Sequence, residues 1–296
     1  MSHVLVLTVA PDIALDPGIA KQAQAALGHA GASPRDIAWL APSACEIGFD
    51  GSHDARAAVR AALDKAPVDI NAVALARRRK RLLVADMEST LIENEMLDDL
   101  AAMIGIHDEV AEITRRAMND ELDFRNALRE RVALLAGLPV ERMEDAAKGI
   151  RIMSGAPTLV ATMKAHGAYT ALVSGGFLFF TRQVRDQLGF DYDEGNDLEI
   201  ASGSLTGEVR EPVLNRDGKV DALKRIARQR SIDIAETIAV GDGANDLPML
   251  LTAGLGVAYR AKPAVAAKAR VCIDHGDLTA LLYLQGYRRE EFVTPR

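Results

Sequence analysis

Three apolar, strand-type runs in this chain each end in a polar turn, and that repetition limits the folds open to it. Residues 81–86 lead from Arg81 through Leu82, Leu83, Val84 and Ala85 to Asp86, with Met87-Glu88-Ser89-Thr90 following. Residues 169–173 run into Ser174-Gly175-Gly176, and residues 237–241 into Asp242-Gly243-Ala244-Asn245-Asp246. In an open parallel sheet, ligands bind beyond the carboxyl ends of the strands. Asp86 and Asp242 at one such edge, beside a serine hydroxyl and glycine amides, suit a hard cation and a phosphate group. The combination points to phosphoryl-transfer chemistry. For any single residue the plain structural reading is strong, since Asp and Gly at strand ends are ordinary turn formers. The threefold recurrence argues against it.

The rest of the domain pattern follows. Strands are expected at 82–86, 169–173, 237–241, 255–258 and 271–273, alternating with helical stretches, which is the pattern of a doubly wound parallel sheet. More than 80 residues of mostly helical pattern separate Asp86 from Tyr169. One crossover helix needs far fewer, so an inserted helical cap is expected over about residues 95–150. The interval 191–214 reads as a small antiparallel excursion. Ahead of this α/β unit, assigned to residues 77–296, residues 1–76 form a small α+β module. Its strands are expected at 4–9, 37–40, 45–49 and 70–75, and its helices at 19–30 and 55–63. The order βαββαβ packs as a four-stranded sheet under two helices. The joining run Arg77-Arg78-Arg79-Lys80-Arg81 is read as a solvated basic junction. A nucleic-acid patch is the weaker reading, because no stacking aromatics accompany the run.

Charge and composition exclude several classes. The net charge of −7 opposes bulk attraction to nucleic acid or anionic membrane. Cys45 and Cys272 lie far apart without metal-ligand spacing, and the six histidines form no zinc-type motif. Reduced thiols and the lack of a signal-like or membrane-spanning run lead to the expectation of a cytoplasmic protein.

Taken in order, these turns resemble the four motifs of the haloacid dehalogenase superfamily and, within it, the phosphoserine phosphatases. Asp86-Met87-Glu88-Ser89-Thr90 is similar to the Asp-x-Asp-x-Thr motif, Val173-Ser174-Gly175-Gly176-Phe177 to the second, Lys219 to the lone lysine, and residues 241–246 to the fourth. The likeness covers about residues 80–285 and includes the cap stretch 123–132. It implies a Mg²⁺-dependent hydrolysis of O-phospho-L-serine, the last step of serine biosynthesis. It implies Asp86 as nucleophile and Glu88 as general acid and base, with the Glu88 carbonyl, Asp86 and Asp242 on the metal. Ser174, Gly175 and Lys219 are implied as phosphate ligands, with Asn245 and Asp246 in support. Glu95 and Arg131 are implied to meet the substrate ammonium and carboxylate, with Phe124 over them. The N-terminal module resembles ACT-like domains, which implies a regulatory or pairing role and a homodimer as one expected form.

Arg131 has support of its own. With residues 124–135 wound as a helix, Phe124, Ala127, Leu128, Val132, Leu134 and Leu135 share an arc, and Arg131 falls in its middle. A guanidinium there must find an anion or reach out to water. A carboxylate suits it, because Arg forks bind carboxylates through two parallel hydrogen bonds. A salt bridge within the cap is the structural alternative. Glu95 has no such support, since an acidic residue in a first helical turn follows from the dipole alone.

Glu88 departs from the family pattern, standing where an aspartate is usual. The backbone carbonyl is unaffected, but the carboxyl head shifts by one methylene, about 1.5 Å. Either the surroundings have adjusted or protonation of the leaving oxygen is poorer. Two alternatives to phosphoserine hydrolysis stand: the same chemistry with another phosphomonoester or with an acceptor such as homoserine, and, on Glu88 alone, an amino-acid sensor with a weakened catalytic unit.

Overall fold

A computed structural model of the chain describes residues 2–51, 55–118 and 121–295. The chain opens with β1 (His3–Thr8), α1 (Pro17–His29), β2 (Ser33–Ala41), β3 (Ala44–Asp50), α2 (Ala55–Leu63) and β4 (Asp69–Ala74). These strands form an antiparallel sheet in the order β2-β3-β1-β4. Alternation decides its two faces. Leu5 and Leu7 pack with Ala23 and Leu27 of α1. Val4 and Val6 face the other way and belong to the large core of the rest of the chain, with Leu281 and Tyr283. The small sheet is therefore covered on both sides. Asp16 starts α1, accepting a hydrogen bond from the Gly18 N–H at 2.7 Å, with Pro17 at the first helical position.

β5 (Leu82–Ala85) begins the second unit. Four helices follow: α3 (Met96–Ile104), α4 (His107–Met118), α5 (Phe124–Ala133) and α6 (Val140–Lys148). They fill the interval where the cap is expected. Then come α7 (Ala156–Ala165), β6 (Tyr169–Phe177), α8 (Leu178–Leu188), β7 (Tyr192–Asn196), β8 (Leu198–Ala201), β9 (Ser204–Val209) and α9 (Arg216–Gln229). The chain closes with β10 (Thr237–Gly241), α10 (Leu247–Thr252), β11 (Leu255–Tyr259), α11 (Pro263–Ala266), β12 (Val271–Ile273) and α12 (Ala280–Leu284). A six-stranded parallel sheet has the order β12-β11-β10-β5-β6-β7. β5 and β10, which precede Asp86 and Asp242, are neighbours at its centre and fully buried. Continuous apolar runs are what a strand covered on both faces requires.

Three expectations need correction. Residues 192–196 are not part of an antiparallel excursion: β7 is the parallel edge strand, and β8 and β9 alone form the hairpin. Tyr-Asp-Glu-Gly-Asn carries no apolar run because an edge strand is only partly covered. The second polar turn is not a turn either: β6 continues through Ser174, Gly175 and Gly176 to Phe177 after a register shift. The basic run is not simply solvated. Arg78 pairs with Glu46 at 2.7 Å and donates to the carbonyls of Tyr283 and Leu284. Lys80 is buried, and Arg79 lies 4.1 Å over the Tyr287 ring. Through Arg78 the run ties the small sheet to α12.

Edge strands β4 and β12 meet through side chains. Asn71 bonds both the N–H and the carbonyl of Cys272, at 3.0 and 2.8 Å. Buried Asp69 accepts from the N–H groups of Asp274 (2.8 Å), His275 (3.1 Å) and Gly276 (2.8 Å). Removing an acceptor strands buried donors, at about 1–3 kcal/mol. Asp69→Ala is expected to lower stability by about 2–3 kcal/mol, read as a lower urea midpoint and faster tryptic cleavage in the 77–81 run. An unchanged midpoint and unchanged cleavage contradict this.

Candidate active site

The site starts from the sheet edge. Asp86 directly follows β5, its backbone N–H donating to the Val240 carbonyl at 3.0 Å. Its Oδ1 accepts from the Met87 N–H at 2.8 Å. The turn beyond is tight: Leu91 and Ile92 both donate to the Met87 carbonyl, and Ser89 takes a left-handed φ of 53°. Asp242 directly follows β10. Asp246 comes next to it because Gly241 leaves room: a Cβ at Gly241 would stand 2.5 Å from Asp246 Cγ.

Lys219 joins these carboxylates. Asn215 caps α9 through the N–H groups of Asp217 and Gly218, which fixes Lys219 in the first turn. Its Nζ is 2.8 Å from Asp86 Oδ1 and 2.6 Å from Asp246 Oδ1, and the side chain is 1% exposed. Burial alone would discharge an ammonium, but the two carboxylates outweigh it and raise the Lys219 pKa.

The acids crowd one another. Asp86, Asp242 and Asp246 offer oxygens that all lie within 4.8 Å of each other. Burial, then the charges of Asp86 and Glu95, push Asp242 up to about 6. Asp246 is pushed up as well, by burial and by Asp86, against the pull of Lys219. One lysine cannot neutralise three carboxylates, and the donors are all hard oxygens. The residues present therefore fit a divalent cation such as Mg²⁺.

Glu88 points toward the cap. Its Oε1 accepts from the N–H of Met96, the first residue of α3, at 2.9 Å. Gly176 makes the space: a Cβ there would lie 2.9 Å from Glu88 Oε2. The longer side chain is thus seated between β6 and the cap. Burial, then Glu95, raises its pKa to about 8.

Glu88 lies at the floor of a cavity of about 480 Å³. Asp86, Glu88, Glu95, Phe124, Arg131, Ser174, Gly175, Asp242 and Asn245 all line it. Lys219 and Asp246 stand behind that wall. Ser174 is buried, and its Oγ accepts from the Gly176 N–H at 3.0 Å, so that amide is already engaged. Glu95 precedes α3 and accepts from Ser89 Oγ at 2.7 Å. The Phe124 ring comes within 3.5 Å of a Cβ built on Gly175.

Arg131 is half-buried on α5 and donates weakly to the Ala127 carbonyl at 3.3 Å. It makes no ion pair among the described residues, although Asp98, Glu88 and Glu95 act on it from the cavity. Burial lowers its pKa against those acids. The helical arc drawn from sequence overran the element: α5 ends at Ala133, and Leu134 is exposed. Ala127, Leu128 and Val132 form the buried stripe.

Three contributors were not foreseen. Lys262 lines the cavity, its backbone N–H donates to the Asp242 carbonyl at 3.3 Å, and its charge draws Asp242 and Glu95 down. It follows β11, so the strand-end rule applied to a fourth strand would have found it. Asp98 faces Arg131, but an acid in a first helical turn attracts no notice. Buried Asn196 donates to the carbonyls of Gly175 (2.7 Å) and Leu214 (3.2 Å) and accepts from the Leu214 N–H (2.7 Å). It ties the Ser174 strand to the segment leading into Lys219, and nothing in its local sequence marks it.

Fold and site together define a hydrolase built on a parallel α/β sheet with a helical cap, and the chain belongs to the haloacid dehalogenase-like hydrolase family, matched over residues 83–251. Among curated proteins it is 46% identical to a phosphoserine phosphatase of Lactococcus lactis over 203 residues, 69% of this chain and 94% of that protein. It is also 46% identical to a phosphoserine phosphatase of Streptomyces coelicolor over 226 residues, 76% of this chain. It spans only 55% of the length of that relative. An unliganded probable phosphoserine phosphatase from Vibrio cholerae superposes with a TM-score of 0.80 at 34% identity, covering 96% of this chain and 86% of that one.

The buried lysine yields a stability prediction. Breaking a buried ion pair from one side costs about 3–5 kcal/mol. Asp246 is already held above its unfolded pKa, and without the lysine the pull that opposes this is gone. Stability is then retained below the unfolded carboxylate range and lost as pH rises. With EDTA present, Lys219→Met is expected to lose about 3–5 kcal/mol at pH 7.5 and distinctly less at pH 5. Equal urea-unfolding losses at both pH values contradict the pairing.

Proposed function

We propose that the chain hydrolyses O-phospho-L-serine to L-serine and phosphate through a phosphorylated Asp86. The observation that carries the substrate choice is Arg131, half-buried, facing the cavity and without an ion-pair partner among the described residues. A guanidinium in that state calls for a carboxylate from outside the chain. Glu95, on the same cavity, supplies the complementary charge for an ammonium. The distance from these groups to Asp86 is bridged by one cavity sized for a small molecule. The relatives that carry the phosphoserine phosphatase name support the same reading.

Asp86, Asp242 and the Glu88 carbonyl would hold the divalent cation, with Asp246 in support. Bound there, such an ion supplies charge neutralisation for the carboxylates and the phosphoryl oxygens. Lys219 holds Asp86 in place and adds positive charge beside the phosphoryl group. Ser174 and Gly175 hold the remaining phosphoryl oxygens, and Asn245 closes the site from the β10 turn. Asp86 attacks phosphorus, the bond from phosphorus to the seryl oxygen breaks, and Glu88 gives its proton to that oxygen. A carboxyl with a pKa near 8 carries the proton at neutral pH. The ionised Glu88 then takes a proton from water as the water oxygen attacks phosphorus, which frees phosphate and restores both residues. Phe124 lies over Gly175 at the cap side of the cavity.

The test compares two substrates. Arg131→Ala is expected to lower kcat/KM for phosphoserine by about 10- to 150-fold, the value of one charged hydrogen bond. It should lower kcat/KM for phosphoethanolamine, which lacks the carboxylate, much less. Equal losses would mean that Arg131 is structural, and absence of phosphate release from phosphoserine with Mg²⁺ would overturn the proposal. An added acceptor alcohol separates hydrolysis from phosphotransfer in the same assay.

Glu88 is tested through kcat. Glu88→Gln is expected to lose about 10²- to 10⁴-fold on phosphoserine, and less on an aryl phosphate whose leaving group needs little protonation. If the site is built around the longer side chain, Glu88→Asp falls below the parent as well. Near-parent turnover of Glu88→Gln on phosphoserine rules Glu88 out as the acid.

A further inference from the structure

A second cleft, of about 520 Å³, lies between the two sheets. β4, the 76–80 linker, α10 and the strands β11 and β12 form its walls. Its charged lining residues are Arg77, Arg78, Lys80 and Arg270, and none is an Asp or a Glu. That one-sided lining occurs in a chain with a net charge of −7.

Two of the four cations are already committed. Arg77 is on Asp233, and Arg78 is on Glu46. The other two make no ion pair among the described residues. Lys80 is 8% exposed, and its ammonium donates to one carbonyl, that of Ala235, at 2.7 Å. An ammonium has three donors, so two remain without a partner among the described residues on a side chain that lines the cleft. Burial and the charge of Arg77 lower the Lys80 pKa, against the pull of Glu236. Arg270 is exposed at the cleft, its own carbonyl taken by Arg56.

Apart from His3, the rest of the wall is apolar or glycine. Leu250 and Leu251 of α10 lie on it, and Leu251 is 53% exposed. The volume falls in the range of small-molecule sites, roughly 300–1,000 Å³.

We propose that this cleft binds a small amphiphilic anion, one carboxylate, sulfonate or phosphate group on an apolar body, with Lys80 and Arg270 taking the charge and Leu250 and Leu251 the body. None of its lining residues belongs to the catalytic cavity, so the inference stands apart from the reaction proposed above.

The probe is 8-anilinonaphthalene-1-sulfonate, an aromatic body with one sulfonate, titrated into the full chain by fluorescence. Saturable binding of one dye per chain is expected. N-phenyl-1-naphthylamine, the same body without the sulfonate, should bind at least about tenfold more weakly. Lys80→Met removes the buried charge, and Leu251→Trp fills the cleft while leaving every charge in place. Each should weaken dye binding at least about tenfold while circular dichroism shows an unchanged fold. Should Lys80→Met fail to fold, Arg270→Leu takes its place. Parent-like affinity in either variant, equal affinity for the neutral compound, or no saturable binding at all overturns the proposal.

Discussion

The site depends on one buried cation. Lys219, 1% exposed, stands between Asp86 and Asp246. The pair of contacts sets where both carboxylates point and keeps Asp86 directed at the cavity without burying an uncompensated charge. Each neighbouring feature follows from that arrangement. Gly241 has no side chain because Asp246 occupies the space a Cβ would need. Asn215 caps α9 so that the lysine enters from the first turn. Asn196 binds the carbonyls of Gly175 and Leu214, which keeps the serine strand in step with the lysine helix.

The cap is attached to this centre through the acid itself. Glu88 accepts from the first N–H of α3, so the residue assigned to proton transfer also receives one of the free N–H groups of the cap helix. A longer side chain than aspartate fits because Gly176 leaves the room. The departure from the family pattern is met by the geometry around it. On the far side, Arg129 of α5 pairs with Glu211 at 2.5 Å, and the β8–β9 hairpin bonds the 137–140 segment through the Gly203 and Leu205 carbonyls. The cap thus rests on both the acid and the hairpin.

Much of this was legible in the sequence where physical demands are local. Buried parallel strands need continuous apolar runs, so β5, β10 and β11 stood out, and the residues just beyond β5 and β10 gave Asp86, Glu88, Asp242 and Asn245 of the cavity lining. The expected doubly wound sheet, helical insertion and small α+β module are all present. Legibility failed where the deciding interaction is distant. β7 carries no apolar run, because it is an edge. Lys80 and Arg78 read as solvated charges, yet carbonyls and a carboxylate more than thirty residues away remove them from water. Asn196 is a common loop residue until the fold brings Gly175 and Leu214 to it. Lys262 was missed by applying the strand-end rule to three strands rather than four.

The central claim is that Asp86, held by Lys219, carries the phosphoryl group during turnover. Quenching the reaction with borohydride while phosphoserine is being consumed reduces an acyl phosphate to the alcohol. Mass spectrometry of the peptide containing residue 86 then reads the outcome directly. The account predicts homoserine at position 86, dependent on phosphoserine and on a divalent cation. Reduction at Asp242 or Asp246 instead, or no reduced residue while phosphate is being released, would contradict it.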